Sequence, residues 1–244
     1  MPLSATNPDT PVVVLVHGDG QPVDYRGRLL AIPVPSTLLM VSANSIPFPW
    51  ILIGRPCYFD TADPQCHPRW WTVDRYHQQT AQSLSAVMRR IVPESTPVIL
   101  VAYSGGAALA HYLVHRHSNV VGFVSIAGNF DVPAWTRFHG FTPMGPGVIN
   151  SVAEPVLPCR VKQVHFAGAK DRNIPAAWIG HYVQRQTVEG CALVTFNEIS
   201  QATHTQGWER WWQWVPWEAF GRPGPPENHI DQNRSVTSPL ASPD

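Results

Sequence analysis

One serine stands where it could act as a nucleophile. The apolar run 98–102 leads to Ser104, and a helical pattern begins at Gly105. A strand that turns sharply into a helix pushes the residue at the turn out above the sheet, where its hydroxyl can attack a carbonyl carbon. Ala102 and Gly106 fit this interpretation, because larger side chains on either side of the turn would collide. The same pattern also fits an ordinary strand–turn–helix in which the serine only caps the helix.

A base for this serine is available in His204. It follows the last predicted strand, at residues 192–196, and precedes a tryptophan-rich segment. An imidazole on such a loop can reach a serine hydroxyl and accept its proton. Of the eleven histidines, His204 alone has this position. His111, His115 and His117 share one helical pattern, and we expect them at its surface or partly buried.

Two aspartates compete for the role of the acid that orients this histidine. Asp171 lies in the turn after the predicted strand 161–167, where a carboxylate could hold the histidine in the tautomer that accepts a proton. Asp131 follows the preceding strand, 120–127, and is an alternative acid or a residue that shapes the pocket. We favour Asp171, because its Gly-x-x-Asp-x-x-x-Pro turn leads into a helical pattern. A turn aspartate can also simply bond its own backbone.

Backbone N–H groups near the serine could stabilise the negative charge that develops on an attacked carbonyl oxygen. Gly105 lies at the start of a helix, where free N–H groups and the helix dipole favour negative charge. A second oxyanion donor could come from Asp19 or Gly18, because this glycine-containing loop directly follows the first buried strand, Val12–Val16. The alternative is a tight turn with a packed His17.

Apolar runs alternate with helical patterns along most of the chain. The predicted strands are 12–16, 50–53, 98–102, 120–127, 161–167 and 192–196. The predicted helices cover about 75–91, 105–114 and 176–185. The continuously apolar runs indicate strands that are buried on both faces. Their alternation with helices predicts an α/β fold, with one mostly parallel, twisted sheet and helices on both of its faces.

Three segments fit this alternation less well. Residues 38–42 could form a short strand, whereas 129–158 are a long connection rich in glycine and proline. Such a connection usually serves a site, and this one is too short and too broken for more than a minimal lid. The tryptophans at positions 208, 211, 212, 214 and 217 predict a helical segment that packs against the sheet, or else an apolar surface for a lipid or partner.

The composition fits one domain and excludes several classes of protein. The chain of 244 residues is 44% hydrophobic and 14% charged, with a formal net charge of zero. No basic run marks a nucleic-acid surface, and no apolar stretch is long enough to cross a bilayer. Zinc-ligand spacings and phosphate-binding loops are also missing, so we expect no metal and no cofactor. We place the domain at 1–220 and a tail rich in proline, glycine and serine at 221–244.

The four cysteines can form two disulfides or remain free thiols. Cys57 and Cys66 flank a proline-containing loop, and Cys159 and Cys191 each precede a predicted strand. If both pairs form, the protein belongs in an oxidising compartment, such as the bacterial periplasm, or is exported. Free thiols would instead indicate the cytoplasm.

The candidate residues follow the chain order Ser104, Asp171, His204, which is the order of α/β-hydrolases. From about Pro11 to Phe220 the sequence resembles the α/β-hydrolase superfamily. It also resembles poorly described bacterial members with an Arg-Pro-Cys loop, here at 55–57, and an Ala-Gly-Asn-Phe-Asp segment, here at 127–131. The resemblance implies that the three side chains meet at one edge of the sheet.

The implied activity is hydrolysis of a carboxylic ester or thioester, on a small-molecule acyl substrate, through an acyl-enzyme intermediate. An amidase or an acyltransferase would use the same three residues. A catalytically silent scaffold that serves only for binding is the alternative from another class. The sequence leaves the oligomeric state open.

Overall fold

The computed structural model of the chain describes residues 10–24, 26, 28–34, 36–40, 43–59, 64–188 and 193–221. Within them the strands are β1 (Val12–Val16), β2 (Gln21–Val23), β3 (Leu29–Val34), β4 (Trp50–Ile53), β5 (Val98–Tyr103), β6 (Val120–Ile126), β7 (Lys162–Gly168) and β8 (Val194–Ile199). The α-helices of the same residues are α1 (Gln78–Ile91), α2 (Gly106–Arg116), α3 (Val132–Phe138) and α4 (Ala176–Val188). Short 3-10 helices cover Ala43–Ser45, Pro68–Trp71, Trp211–Trp214 and Trp217–Ala219.

A parallel sheet runs through the centre of the molecule, as the apolar runs predict. Its strand order is β4-β1-β5-β6-β7-β8, and every neighbouring pair is parallel. The register places Val16 of β1 opposite Ala102 of β5, and Tyr103 of β5 opposite Ile126 of β6. The carboxyl ends of these three strands therefore lie side by side at one edge of the sheet.

Alternate strand residues face two different layers. In β1, Val12 and Val14 belong to the apolar core that α1, α2 and α4 cover, whereas Val13 and Leu15 belong to the core on the opposite face. The opposite face is covered by the described residues of 38–48 and by the tryptophan-rich segment. Both faces of the sheet are thus buried, by α-helices on one side and by loops with short 3-10 helices on the other.

The segment before β4 differs from the prediction. Residues 38–40 form a turn and not the expected strand at 38–42, of which 41 and 42 lie outside the described residues. The strand of this region is β3, which pairs antiparallel with β2 in a separate two-stranded sheet. β3 contains Pro33, which a two-stranded ribbon tolerates because one side of each strand has no ladder partner.

The tryptophan-rich segment is not the continuous helix that its spacing suggests. Two short 3-10 helices, Trp211–Trp214 and Trp217–Ala219, are separated by Val215 and Pro216. Proline has no N–H to donate and disfavours helical backbone in the residue before it, so the helix stops there. The predicted packing is nevertheless present, since Trp208, Trp211 and Trp217 are buried against the sheet.

The long connection 129–158 contains a helix that the sequence reasoning missed. α3 begins after Asp131, whose carboxylate accepts a hydrogen bond from the N–H of Ala134 at 3.0 Å. This is an N-cap, and Pro133 in the first turn also favours a helix start. The high glycine and proline content of the segment hides this local signal.

The expectation for the histidines of the α2 pattern is wrong at two positions. His115 is exposed, but His111 and His117 are buried. His111 Nδ1 lies 2.8 Å from the hydroxyl of Tyr182, and His117 Nε2 lies 2.9 Å from the hydroxyl of Ser85. Each ring thus has one nitrogen hydrogen-bonded to a neighbouring helix.

One of the two predicted cysteine pairs lies within the described residues. Cys57 and Cys66 form a disulfide, with their Cα atoms 5.5 Å apart. The pairing of Cys159 with Cys191 stays a prediction, because Cys191 lies outside the described residues, as do 222–244 of the predicted tail. The compartment that depended on both pairs stays a prediction too. Across the described chain, no helix is both long and apolar enough to span a membrane.

Candidate active site

Ser104 occupies a strained turn between β5 and α2. Its φ is +52°, a left-handed conformation that residues other than glycine rarely adopt. The N–H of Ser104 donates to the carbonyl of Ile126 at 2.9 Å, and its carbonyl accepts from the N–H of Asn129 at 3.0 Å. The end of β6 and the loop after it therefore hold the strained residue in place.

Gly106 is the small residue on which this turn depends most. A Cβ atom at this position would lie 2.7 Å from the carbonyl oxygen of His17 and still closer to that of Val16. Both atoms belong to the backbone, which cannot move aside easily. The prediction of a small residue here is confirmed, but the obstacle is the end of β1 and not the other side of the turn.

The structure brings three of the predicted side chains together at the carboxyl edge of the sheet. Ser104 Oγ lies 2.9 Å from His204 Nε2, and His204 Nδ1 lies 2.8 Å from Asp171 Oδ2. If Nδ1 carries the ring proton and donates it to the carboxylate, Nε2 is free to accept the serine proton. This arrangement can make the serine hydroxyl a nucleophile.

Asp171 is held rigidly below the histidine. Its side chain is fully buried, and its second oxygen, Oδ1, accepts hydrogen bonds from the N–H groups of Asn173 and Ile174 at 2.8 and 2.9 Å. The turn aspartate therefore bonds its own backbone with one oxygen and the histidine with the other. Asp131, the alternative acid, caps α3 instead.

Two aromatic residues that sequence reasoning missed hold the loop of His204. The hydroxyl of Tyr103 donates to the carbonyl of His204 at 2.8 Å. The indole N–H of Trp208 donates to the carbonyls of Thr203 and His204 at 2.9 and 3.2 Å. Burial raises the pKa of the Tyr103 phenol, so this donor stays protonated.

The side chain of Asp19 lies in a partly buried ionic cluster beside the serine. Its Oδ1 accepts from Arg55 Nη1 at 2.8 Å, while its Oδ2 lies 3.0 Å from Arg75 Nε and accepts from the Tyr76 hydroxyl at 2.5 Å. Burial alone would raise the pKa of Asp19, but the two guanidinium groups outweigh it and hold the pKa below its usual value. Asp19 is therefore ionised, and its backbone carbonyl accepts from the Tyr58 hydroxyl at 2.8 Å.

The cluster also explains the glycine next to the serine. A Cβ atom at Gly105 would collide with the Asp19 carboxylate and with the Tyr76 hydroxyl. The resemblance singles out Arg55 through its Arg-Pro-Cys motif, but no local pattern links Arg55 or Arg75 to Asp19. Sequence reasoning missed the cluster for this reason.

His17 packs beneath this loop in the neutral state. Its Nδ1 lies 2.7 Å from the carbonyl oxygen of Gly18, and its Nε2 accepts from the N–H of Arg55 at 3.3 Å. Burial and the nearby Arg55 charge lower the pKa of His17 to about 3. The packed His17 that the sequence offered as an alternative to an oxyanion loop is therefore present. At Gly18, a Cβ atom would lie 2.8 Å from the ring of Tyr103.

A cavity of about 920 Å³ opens beside the serine and the histidine. Ser104, His204 and Asp19 all reach its wall. The remaining wall includes aromatic and apolar side chains, among them Trp135 and Phe141. A volume of this size can hold a small organic molecule. In the described chain, no cluster of three metal-ligating side chains is present.

The fold is similar to that of several proteins of known structure. One is the sugar hydrolase YeeB from Lactococcus lactis, with a TM-score of 0.56 and 13% identity, over 86% of this chain and 88% of that chain. Another is alpha/beta hydrolase domain-containing protein 10 from mouse, with a TM-score of 0.53 and 14% identity, over 83% of this chain and 84% of that chain. ATU1826 from Agrobacterium tumefaciens, a proposed alpha/beta hydrolase, has a TM-score of 0.52 and 16% identity, over 84% of this chain and 80% of that chain. No family model and no curated protein matches the sequence.

Proposed function

Because the chain has the α/β-hydrolase fold, we propose that it is a serine hydrolase that cleaves a carboxylic ester or thioester through an acyl-enzyme. The observation that carries this proposal is the continuous hydrogen-bond chain from Ser104 through His204 to Asp171. A serine hydroxyl is a weak nucleophile unless a base accepts its proton, and an oriented imidazole is such a base. The cavity beside these groups supports a small-molecule acyl substrate.

In the acylation step, Ser104 Oγ attacks the carbonyl carbon of the substrate while His204 Nε2 takes the hydroxyl proton. Asp171 stabilises the imidazolium ion that forms. The tetrahedral intermediate then collapses, the bond to the alcohol or thiol breaks, and His204 returns its proton to the leaving group. In the second step His204 accepts a proton from water, whose oxygen attacks the acyl-enzyme and releases the acid and Ser104. All of these steps use groups of this chain, so the proposal includes no cofactor.

Backbone N–H groups stabilise the oxyanion in this proposal. Gly105 is the N-cap of α2, so its N–H has no acceptor within the helix and can donate to the developing charge. The second donor is the N–H of Asp19 or of Gly18. The ionic cluster supports the choice of Asp19, because Arg55 binds its side chain and Tyr58 binds its carbonyl, so the residue that carries this N–H is held on two sides.

Labelling with a fluorophosphonate probe tests the nucleophile. We expect one label on each native chain, no label on Ser104→Ala, and undiminished labelling of Ser118→Ala, a control at an exposed serine. His204→Ala should slow the labelling by about a thousandfold or more, because the base is lost. Labelling that survives Ser104→Ala would contradict the proposal, as would no labelling of the folded native protein.

Turnover of para-nitrophenyl esters separates the enzyme from a silent scaffold. An enzyme should hydrolyse short esters and lose this activity in His204→Ala, whereas a scaffold that only binds should show no turnover at all. A matched set of esters, thioesters and amides then identifies the bond that is cleaved. Product analysis with an added alcohol detects acyl transfer.

A further inference from the structure

The cavity wall contains a cation that the proposed reaction does not use. Arg75 lines the cavity, with 11% of its side chain exposed. Its Nε lies 3.0 Å from Asp19 Oδ2, and its Nη1 donates to the carbonyl of Thr72 at 3.3 Å. These partners leave part of the side chain accessible from the cavity. Part of this guanidinium group is thus available to a molecule in the cavity.

The Asp19 carboxylate does not neutralise the positive charge of Arg75. Arg55 is fully buried and already forms a 2.8 Å ion pair with this carboxylate, which also accepts from the Tyr76 hydroxyl. Two guanidinium groups therefore face one carboxylate, and the cluster has a net positive charge. The cavity wall also includes Glu209, which is exposed. At the buried end of the cavity the excess cation favours an anionic ligand, because burial in low dielectric strengthens their attraction.

Aromatic rings hold the Arg75 guanidinium in a fixed position. Its central carbon lies 5.5 Å from the ring centroid of Tyr76 and 5.1 Å from that of Trp135. These cation–π contacts and the Asp19 ion pair restrict the side chain before any ligand binds. A planar guanidinium held in this way is suited to a carboxylate, to which it can donate a charge-assisted hydrogen bond.

A second polar group in the same cavity lacks partners. Asn129 lines the cavity and is only 1% exposed, and neither Nδ2 nor Oδ1 of its side chain has a hydrogen-bond partner. Its backbone N–H donates to the carbonyl of Ser104, so it lies directly beside the proposed nucleophile. Buried amides are nearly always hydrogen-bonded in native proteins, so the side chain of Asn129 can donate to and accept from a molecule in the cavity.

We infer that Arg75 and Asn129 form a subsite for a carboxylate group of the substrate, so that the esters or thioesters cleaved by this chain are anionic. This inference rests on the proposed function for the bond that is cleaved. The apolar wall, with Trp135, Phe141 and Met144, suits the hydrocarbon that separates the carboxylate from the scissile carbonyl. The carboxylate belongs to either the acyl part or the alcohol part of the ester.

Two matched substrate pairs test the inference and locate the carboxylate. The first pair is mono-para-nitrophenyl glutarate and para-nitrophenyl pentanoate, which differ by a carboxylate in the acyl part. The second is para-butyryloxybenzoate and phenyl butyrate, which differ by a carboxylate in the leaving group. In at least one pair we expect kcat/KM to be about tenfold or more higher for the anionic ester, as a charge-assisted hydrogen bond provides.

Substitutions at the subsite should change this selectivity ratio. Arg75→Gln should lower the ratio about tenfold, and Asn129→Asp should lower it as well, because a second negative charge repels the substrate carboxylate. Arg90→Gln removes the same charge from the exposed far end of α1 and should leave the ratio unchanged. If Arg75→Gln does not fold, the Asn129→Asp variant still decides.

A binding measurement separates this inference from the proposed function. Monoethyl glutarate should bind the Ser104→Ala variant in calorimetry. The double variant Ser104→Ala with Arg75→Gln should bind it about tenfold more weakly. If no ester is hydrolysed but this binding pattern holds, the subsite stands while the hydrolase proposal fails. If Arg75→Gln leaves both the selectivity ratio and the binding unchanged, Arg75 serves only to hold Asp19, and the inference is overturned.

Discussion

Close approach of backbone segments determines which residues the serine turn accepts. Ser104 keeps a left-handed backbone that costs about 1–3 kcal/mol, and its hydrogen bonds to Ile126 and Asn129 offset this cost. Gly106 lets the turn pass against the end of β1. The position of Ser104 at the edge of the sheet therefore depends on two neighbouring strands as well as on its own segment.

We predict that Gly106→Ala destabilises the protein by about 1–3 kcal/mol, because the added Cβ would press on the carbonyl oxygens of Val16 and His17. Alanine is the better helix former, so the opposite sign would follow if only local propensity mattered. Gly145→Ala is the control, since a Cβ there meets nothing within 4 Å. Urea unfolding of both variants measures the difference, and equal stability would contradict the prediction.

At the scale of elements, a disulfide-closed loop after β4 supports the loop after β1. Arg55 and Tyr58 hold Asp19 by its carboxylate and its carbonyl, and Cys57 lies between them, bonded to Cys66. The disulfide thus restricts the segment that positions the proposed oxyanion donor. Neither strand could align these groups alone.

We predict that Cys57→Ser with Cys66→Ser lowers the free energy of unfolding by about 3 kcal/mol, from the chain entropy of a loop closed over nine residues. The variant should also lose ester turnover, because Asp19 is held less firmly. Thermal unfolding and steady-state kinetics measure the two effects. A reducing agent should lower the stability and the turnover of the native protein as well. A variant with native stability and turnover would refute this role of the loop.

At the scale of the whole molecule, the core contains histidines that stay neutral. Burial lowers the pKa of His111 and His165 to about 3, and burial and the Arg55 charge lower that of His17 equally far. Below pH 6.5 the unfolded chain binds protons at these positions and the folded protein does not. The stability they confer is therefore complete above about pH 6.5 and declines as the pH falls from there toward 3.

Acidification from pH 7 to pH 5 should lower the free energy of unfolding of the native protein. We predict that this decrease is about 2 kcal/mol smaller in His165→Gln, because one buried histidine contributes that amount. The quantity to compare is the difference between the two pH values, since the substitution also disturbs the hydrogen bonds to Ser125 and Gln163. Urea unfolding at both pH values gives this difference. The control is His181→Gln, at an exposed histidine. An equal decrease in the free energy of unfolding for His165→Gln and the native protein would contradict the conclusion that His165 stays neutral in the folded protein.

The sequence by itself determined the central sheet and the chain order of the candidate site residues. Continuous apolar runs and the Ser104 turn each depend on the residues of a single segment, so they can be predicted from the sequence. The choice of Asp171 over Asp131 could be favoured from its turn, but only the tertiary structure showed Asp171 bonded to His204 and Asp131 capping α3.

Only the tertiary structure decided which distant groups meet around that serine. Asp19 and Arg55 are 36 positions apart, and Asp19 and Tyr76 are 57 apart, so no periodicity connects them. The break at Pro216 in the tryptophan-rich segment, by contrast, has a local cause that the sequence contains. Burial and ion pairing depend on how many segments pack together in the folded protein, so they cannot be predicted from any single segment.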